Sequence, residues 1–214
     1  MENNQISRHE LGFSKPNPYQ ELYSRFGNDS RSLGWSKESQ NSRFERIYRL
    51  FSFDGSNILD VGSGFSDFLF FLVSKGVKLQ SYMGLEPFYH FYNEAKGKLE
   101  KLPNQQYSLL MKDWENFDSN FKFDVGLAIG SFNFRIQDNY SYLVNFIRVM
   151  LENNCDNLII SLLSKNATQA TRNANTDKFF YDPNVISNLL YKKNVAFEIV
   201  HDYLPHDFIV KVKK

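Results

Sequence analysis

Between residues 57 and 212, short apolar runs alternate with stretches of helical periodicity, and this alternation constrains the fold more than any other feature of the chain. Asn57–Val61, Tyr82–Leu85, Tyr107–Met111, Phe123–Ile129 and Asn157–Leu163 each read as a strand. Asn157–Leu163 is almost continuously apolar, as expected of a strand covered on both faces. Helical patterns fill the intervals at about Asp67–Lys75, Tyr89–Lys101 and Tyr140–Glu152. Asp182-Pro183 opens a further helix to about Lys192, with proline in its first turn. Two last strands, Ala196–Tyr203 and Asp207–Val212, are joined by Leu204-Pro205-His206. That link is too short for a helical crossover, so the pair must be antiparallel. Alternating β and α elements predict an α/β fold: a mainly parallel, seven-stranded sheet in three αβα layers, with an antiparallel C-terminal hairpin.

The 214 residues suit one domain, and with 42% hydrophobic and 23% charged residues the chain is expected to fold. Residues 1–34 are polar and rich in turn formers, and read as an N-terminal arm with a short helix at Tyr19–Phe26. A helix follows over Lys37–Phe51. Its Ser36 cap and its stripe of Phe44, Ile47, Tyr48 and Phe51 mark one buried face. Lys165–Lys178 is polar and Asn/Thr-rich, and is expected to be a loop. A formal net charge of +1 gives no general attraction to nucleic acid or anionic membrane. With Cys155 as the only cysteine, no intramolecular disulfide or cysteine-rich zinc site can form, and no metal site is expected. Met1–Glu10 lacks the apolar core of a secretory signal, and apolar runs such as Phe68–Val73 are too short to span a bilayer. A cytoplasmic protein is expected.

Chemistry concentrates in Ile58-Leu59-Asp60-Val61-Gly62-Ser63-Gly64-Phe65-Ser66-Asp67. Glycines at 62 and 64 allow a tight turn and close approach to a ligand. The following helix aims its free N–H groups at the same loop. Alone, such a strand–turn–helix corner is common. Two more strand ends support it: Glu86, in Gly84-Leu85-Glu86-Pro87, is placed to accept ribose hydroxyls. Asp113-Trp114 offers a carboxylate and a ring to an adenine. A dinucleotide loop would want G-x-G-x-x-G, but Asp67 stands at the last position. Asp60, two places before the first glycine, suits a cationic methionine moiety better than a dinucleotide.

These three segments, ending in Lys112-Asp113-Trp114, resemble the successive motifs of the class I S-adenosylmethionine-dependent methyltransferases. The resemblance covers the chain beyond about the first 30 residues. It implies a Rossmann-like sheet, S-adenosylmethionine as cofactor, and a methyltransferase domain at 35–214. It places Gly62, Ser63 and Gly64 on the methionine part, Glu86 with Pro87 on the ribose, and Asp113 with Trp114 on the adenine. Ser66 departs from the pattern, which prefers glycine there.

Further segments resemble a subgroup of small bacterial methyltransferases: Leu33-Gly34-Trp35-Ser36 with Gln40 and Arg43-Phe44, Gly130-Ser131-Phe132-Asn133, Tyr181-Asp182-Pro183 and His201-Asp202-Tyr203. Arg43 is a candidate for the cofactor carboxylate, because a guanidinium matches that shape. Gly130 is a candidate cofactor contact, and Trp35, Asn133, Tyr181 and Tyr203 are candidates to line the substrate. His201 is the candidate general base, since histidine titrates near neutrality. Phe13, Tyr19, Tyr23 and Trp35 are candidates for a lid.

The expected reaction is methyl transfer to an oxygen or nitrogen of a small molecule. The alternatives are an RNA or protein methyltransferase, for which Arg25, Arg31, Lys37, Arg43, Arg46 and Arg49 leave room, and a non-catalytic cofactor-binding module. An oxidoreductase using NAD is disfavoured by Asp60 and Asp67.

Overall fold

The computed structural model describes residues 18–102 and 106–214. Phe13, a candidate lid residue, lies outside them. The elements are α1 (Pro18–Phe26), α2 (Lys37–Tyr48), β1 (Asn57–Val61), α3 (Asp67–Ser74), β2 (Ser81–Leu85), α4 (Tyr89–Leu99), β3 (Tyr107–Leu110) and β4 (Phe123–Ile129). Then come α5 (Asn139–Val149), β5 (Cys155–Leu163), α6 (Gln169–Ala174), α7 (Pro183–Lys192), β6 (Ala196–Leu204) and β7 (Asp207–Lys213).

The seven strands form one sheet in the order β3-β2-β1-β4-β5-β7-β6. Strands β1 to β5 run parallel, and β7 is antiparallel to both β5 and β6. The chain reverses its direction of travel across the sheet between β1 and β4, which opens a crevice beyond their carboxyl ends. Asp60 is level with Gly84 of β2 and Leu127 of β4, so these strand exits share one rim.

The pleat sends alternate side chains to opposite layers. Leu59, Leu158, Ile160 and Val210 pack under Leu143, Phe146, Ile186 and Leu190 of α5 and α7. Ile58, Ile159 and Ile209 pack on the other face, under Phe44 and Ile47 of α2 and Phe68, Leu69 and Leu72 of α3. Both caps anticipated from sequence form: the Ser36 hydroxyl accepts the Ser39 N–H at 3.1 Å, and Pro183 occupies the first turn of α7.

Three expectations need correction. Helix α2 ends at Tyr48 rather than Phe51, and α5 ends at Val149, giving way to a π turn over Met150–Asn154. The segment expected to be a loop contains α6. Thr168 caps it by accepting the Thr171 N–H, while Arg172 donates to the carbonyls of Lys165 and Ala167. None of its residues is buried, so it carries no apolar stripe to reveal it.

Candidate active site

A cleft of about 940 Å³ opens at the carboxyl ends of β1, β2, β3 and β4. This lies within the usual range for small-molecule sites, roughly 300–1,000 Å³. Asp60, Gly62, Ser63, Gly64, Glu86, Pro87, Asp113, Trp114 and Gly130 all line it. The three sequence segments singled out above therefore meet in one place.

The loop after β1 is locked from several sides. Gly62 has φ +69°, and a side chain there would meet the Ser131 hydroxyl at 2.5 Å. That hydroxyl donates to the Val61 carbonyl at 2.7 Å, which ties the β4 exit to the β1 exit. Ser66 stands in the left-handed region at φ +57°, the conformation for which glycine is preferred.

Glu86 is buried, and its two carboxylate oxygens accept the N–H groups of Gly64 at 2.7 Å and Phe88 at 2.8 Å. Burial raises its pKa to about 7 despite these bonds. Asp60 is 2% exposed and accepts the Tyr82 hydroxyl at 2.8 Å; burial raises its pKa to about 7 as well. Asp113 accepts the Trp114 N–H at 2.7 Å, and the Trp114 indole donates to the Tyr142 hydroxyl at 2.9 Å. The indole also packs edge-on against Phe146 at 5.2 Å, so its plane is fixed by α5.

Other expected site residues lie elsewhere. Of the four expected to line the substrate, only Trp35 borders the cleft. Asn133 instead accepts the Leu163 N–H at 2.9 Å, and Tyr181 donates to the Phe132 carbonyl at 2.9 Å. Both are buried stitches between the β4 and β5 exits. Tyr203 donates to Asp207. His201 sits on the outermost strand β6, with β7 and β5 between it and β4, and does not line the cleft. Its ring lies 6.0 Å from Phe208, so the expected general base is not brought to the site.

Arg43 is 2% exposed and is absent from the cleft wall. Its Nε and Nη2 donate to Asp207, and the guanidinium stacks 4.6 Å from the Trp35 ring. Among the described residues its Nη1 has no hydrogen-bond partner.

The cleft also holds residues not anticipated as site members, among them Gln40, Asp67, His90, Phe134 and Tyr142. Gln40 is fully buried on α2, and its amide donates to Asp67 at 2.9 Å. A sequence signal for it exists, since Gln40 lies four residues before Phe44 on the stripe that faces the protein. Tyr19 of α1 reaches over the cleft, edge-on to Phe134 at 5.0 Å and to Phe91 at 5.2 Å.

No family model and no curated protein sequence matches the chain. Solved structures do. N-methyltransferase NodS from Bradyrhizobium japonicum WM9, in complex with S-adenosyl-L-homocysteine, aligns with a TM-score of 0.69 at 16% identity, over 93% of this chain and 99% of NodS. Magnesium protoporphyrin IX methyltransferase from Synechocystis PCC 6803, also with S-adenosyl-L-homocysteine bound, aligns at 0.62 and 13% identity, over 97% of this chain and 91% of that one. The pyocyanin biosynthetic protein PhzM aligns at 0.68 and 15% identity, over 92% of this chain but only 62% of PhzM. The chain thus spans less than two thirds of PhzM. At such identities the likeness is one of architecture: a Rossmann-like fold shared with these methyltransferase structures.

Proposed function

We propose that the chain is an enzyme that binds S-adenosylmethionine in this cleft and transfers its methyl group to a small molecule. The observation that carries the reading is Glu86. Its two oxygens are oriented by the Gly64 and Phe88 N–H groups, and each keeps a lone pair for a ribose hydroxyl. Asp113 and Trp114 stand one strand further on, after β3 in the same cleft wall, where an adenine would reach them. Asp60 offers the methionine end a buried carboxylate beside the glycine loop. The residues present thus fit the cofactor along its length. The S-adenosyl-L-homocysteine bound in NodS and in the magnesium protoporphyrin enzyme supports the same reading.

When bound, the sulfonium supplies a methyl carbon already activated for in-line attack. The protein's part is then to position and desolvate. The Gly62–Gly64 loop and Glu86 would hold the cofactor, and Tyr19, Leu33 and Trp35 border the cleft on the reacting side, which supports reading the described part of the arm, residues 18–34, as a lid. The unpartnered Nη1 of Arg43, behind Trp35, is a donor available to the cofactor carboxylate if that ring moves aside.

Two observations weigh against an RNA acceptor. Arg31 pairs with Asp29, and Arg46 with Asp202. Arg43 is buried against Asp207. Three of the six cations noted in sequence are thus held by carboxylates, which weighs against one open basic face. No described helix is long and apolar enough to cross a membrane.

The test is calorimetry of the full chain with S-adenosylmethionine, S-adenosylhomocysteine and NAD. The first two should bind and NAD should not. Glu86→Ala should weaken binding at least about tenfold, the loss of hydrogen bonds to a charged group. Binding of NAD alone would sink the reading, and tight binding without turnover on any metabolite would leave a non-catalytic module.

A further inference from the structure

The ribose position at β2 and the adenine position at β3 leave the sulfur side of the cleft facing β1 and β4. That side is walled by rings. Trp35 is packed so closely on Gly130 that a side chain at 130 would meet its Cζ2 at 2.5 Å. Phe134 follows the β4 exit, and Tyr19 bridges it to Phe91 of α4. All three rings line the cleft.

Charge is distributed unevenly around them. Among the described lining residues there are four carboxylates, Asp60, Asp67, Glu86 and Asp113, against one lysine, Lys112, beyond β3. The nearby cations lie outside the wall. Arg43 is behind Trp35 with Asp207, Lys98 pairs with Asp67, and the Lys178 ammonium rests 3.2 Å from the Phe134 ring centroid. Arg43 and Lys178 already stand on the Trp35 and Phe134 rings. A phosphate or carboxylate entering the cleft would still meet the excess of lining carboxylates, and a cation would be favoured by it.

Proton handling points the same way. A hydroxyl must lose its proton as it attacks, which calls for a base near β4. The lining carboxylates already hold donors: Glu86 two backbone N–H groups, Asp67 the Gln40 amide, Asp60 the Tyr82 hydroxyl, and Asp113 the Trp114 N–H. His90 is on the first turn of α4, on the β2 side, stacked on Tyr23 at 4.7 Å. An amine needs no base at the moment of attack.

Building on the cofactor reading above, we propose that the acceptor is a small amine on an apolar body, held between Tyr19, Trp35 and Phe134. It arrives largely as the ammonium, gives that proton to bulk water before attack, and reacts as the free base. The nitrogen lone pair forms the N–C bond while the C–S bond breaks. The electron pair of that bond stays on sulfur as the thioether, and the proton of the new ammonium leaves to water.

The test uses one ring with four head groups: benzylamine, benzyl alcohol, benzoate and benzyl phosphate. Each is titrated into the full chain saturated with S-adenosylhomocysteine, reading tryptophan fluorescence, with Trp35→Phe to assign the signal. Benzylamine should bind about tenfold or more tightly than either anion, the scale of a desolvated cation–π contact. With S-adenosylmethionine present, mass spectrometry should find N-methylated product, forming faster as pH rises from about 7 to 9 while the amine loses its proton. Equal or tighter binding of benzoate or benzyl phosphate, or methylation of the alcohol in preference to the amine, would overturn the inference. Calorimetry with S-adenosylhomocysteine separates the two levels. If it does not bind, the cofactor reading fails; if it binds and no amine preference appears, only the acceptor class is wrong.

Discussion

Asp60 is a carboxylate that the fold holds at a cost. Burial lifts its pKa to about 7, with the Tyr82 hydroxyl opposing only part of that rise. Between pH about 4 and about 7 the folded protein therefore binds more protons than the unfolded chain. Stability contributed by the protonated carboxyl is complete at the acid end of that window and is lost as pH rises through about 7. Glu86 acts in the same direction. Asp60→Asn should flatten part of this slope and raise the urea midpoint at alkaline pH, while weakening S-adenosylmethionine binding. Midpoints measured against pH check it, and an unchanged slope would contradict the assignment. A bound cation favours ionised Asp60, so affinity should climb as pH rises through neutrality, with proton release seen as a buffer-dependent binding enthalpy. Ser66 offers a second residue-scale test. Its left-handed backbone costs an L-residue about 1–2 kcal/mol, so Ser66→Gly should stabilise the protein by about 1 kcal/mol in urea unfolding.

At the scale of elements, α2 is fastened to the β6–β7 hairpin by the buried pair of Arg43 and Asp207, which Tyr203 joins. Removing one partner strands the other charge, so Asp207→Ala should cost about 3–5 kcal/mol. Adding Arg43→Met should recover a large part of that, as chemical denaturation of the single and double variants would establish. This pair also marks where sequence reading stops. The β4 bounds, the Ser36 cap and the start of α7 were legible because each depends on neighbours in the chain. That Asp60, Gly62–Gly64, Glu86 and Asp113-Trp114 share one cleft was legible because they stand at successive strand ends. The chemistry of Arg43 suits a ligand for an anion. Its anion in the structure lies 164 residues away, and no local pattern could reveal that. His201 has the chemistry of a base, but strand order places it beyond β7, away from the cleft, and that too depends on no local pattern. Helix α6 was missed because it buries nothing.

For the whole molecule, the order β3-β2-β1-β4-β5-β7-β6 decides where function can sit. It creates one crevice, which Tyr19 of α1 borders; α1 and the residues just after it are tied to α4 by bonds from Tyr23 at 2.9 Å and Asn28 at 3.1 Å to Glu94. If this segment is a lid, S-adenosylhomocysteine should slow tryptic cleavage at Arg25 and Arg31 severalfold. An unaltered cleavage rate would argue for a fixed wall instead. The most direct test of the central claim is a crystal structure with S-adenosylhomocysteine. Ribose hydroxyls should lie on Glu86, adenine beside Asp113 and Trp114, and the sulfur facing Trp35 and Gly130. Ordered ligand elsewhere on the protein, with the cleft at the β1 and β4 exits empty at saturating concentration, would contradict it.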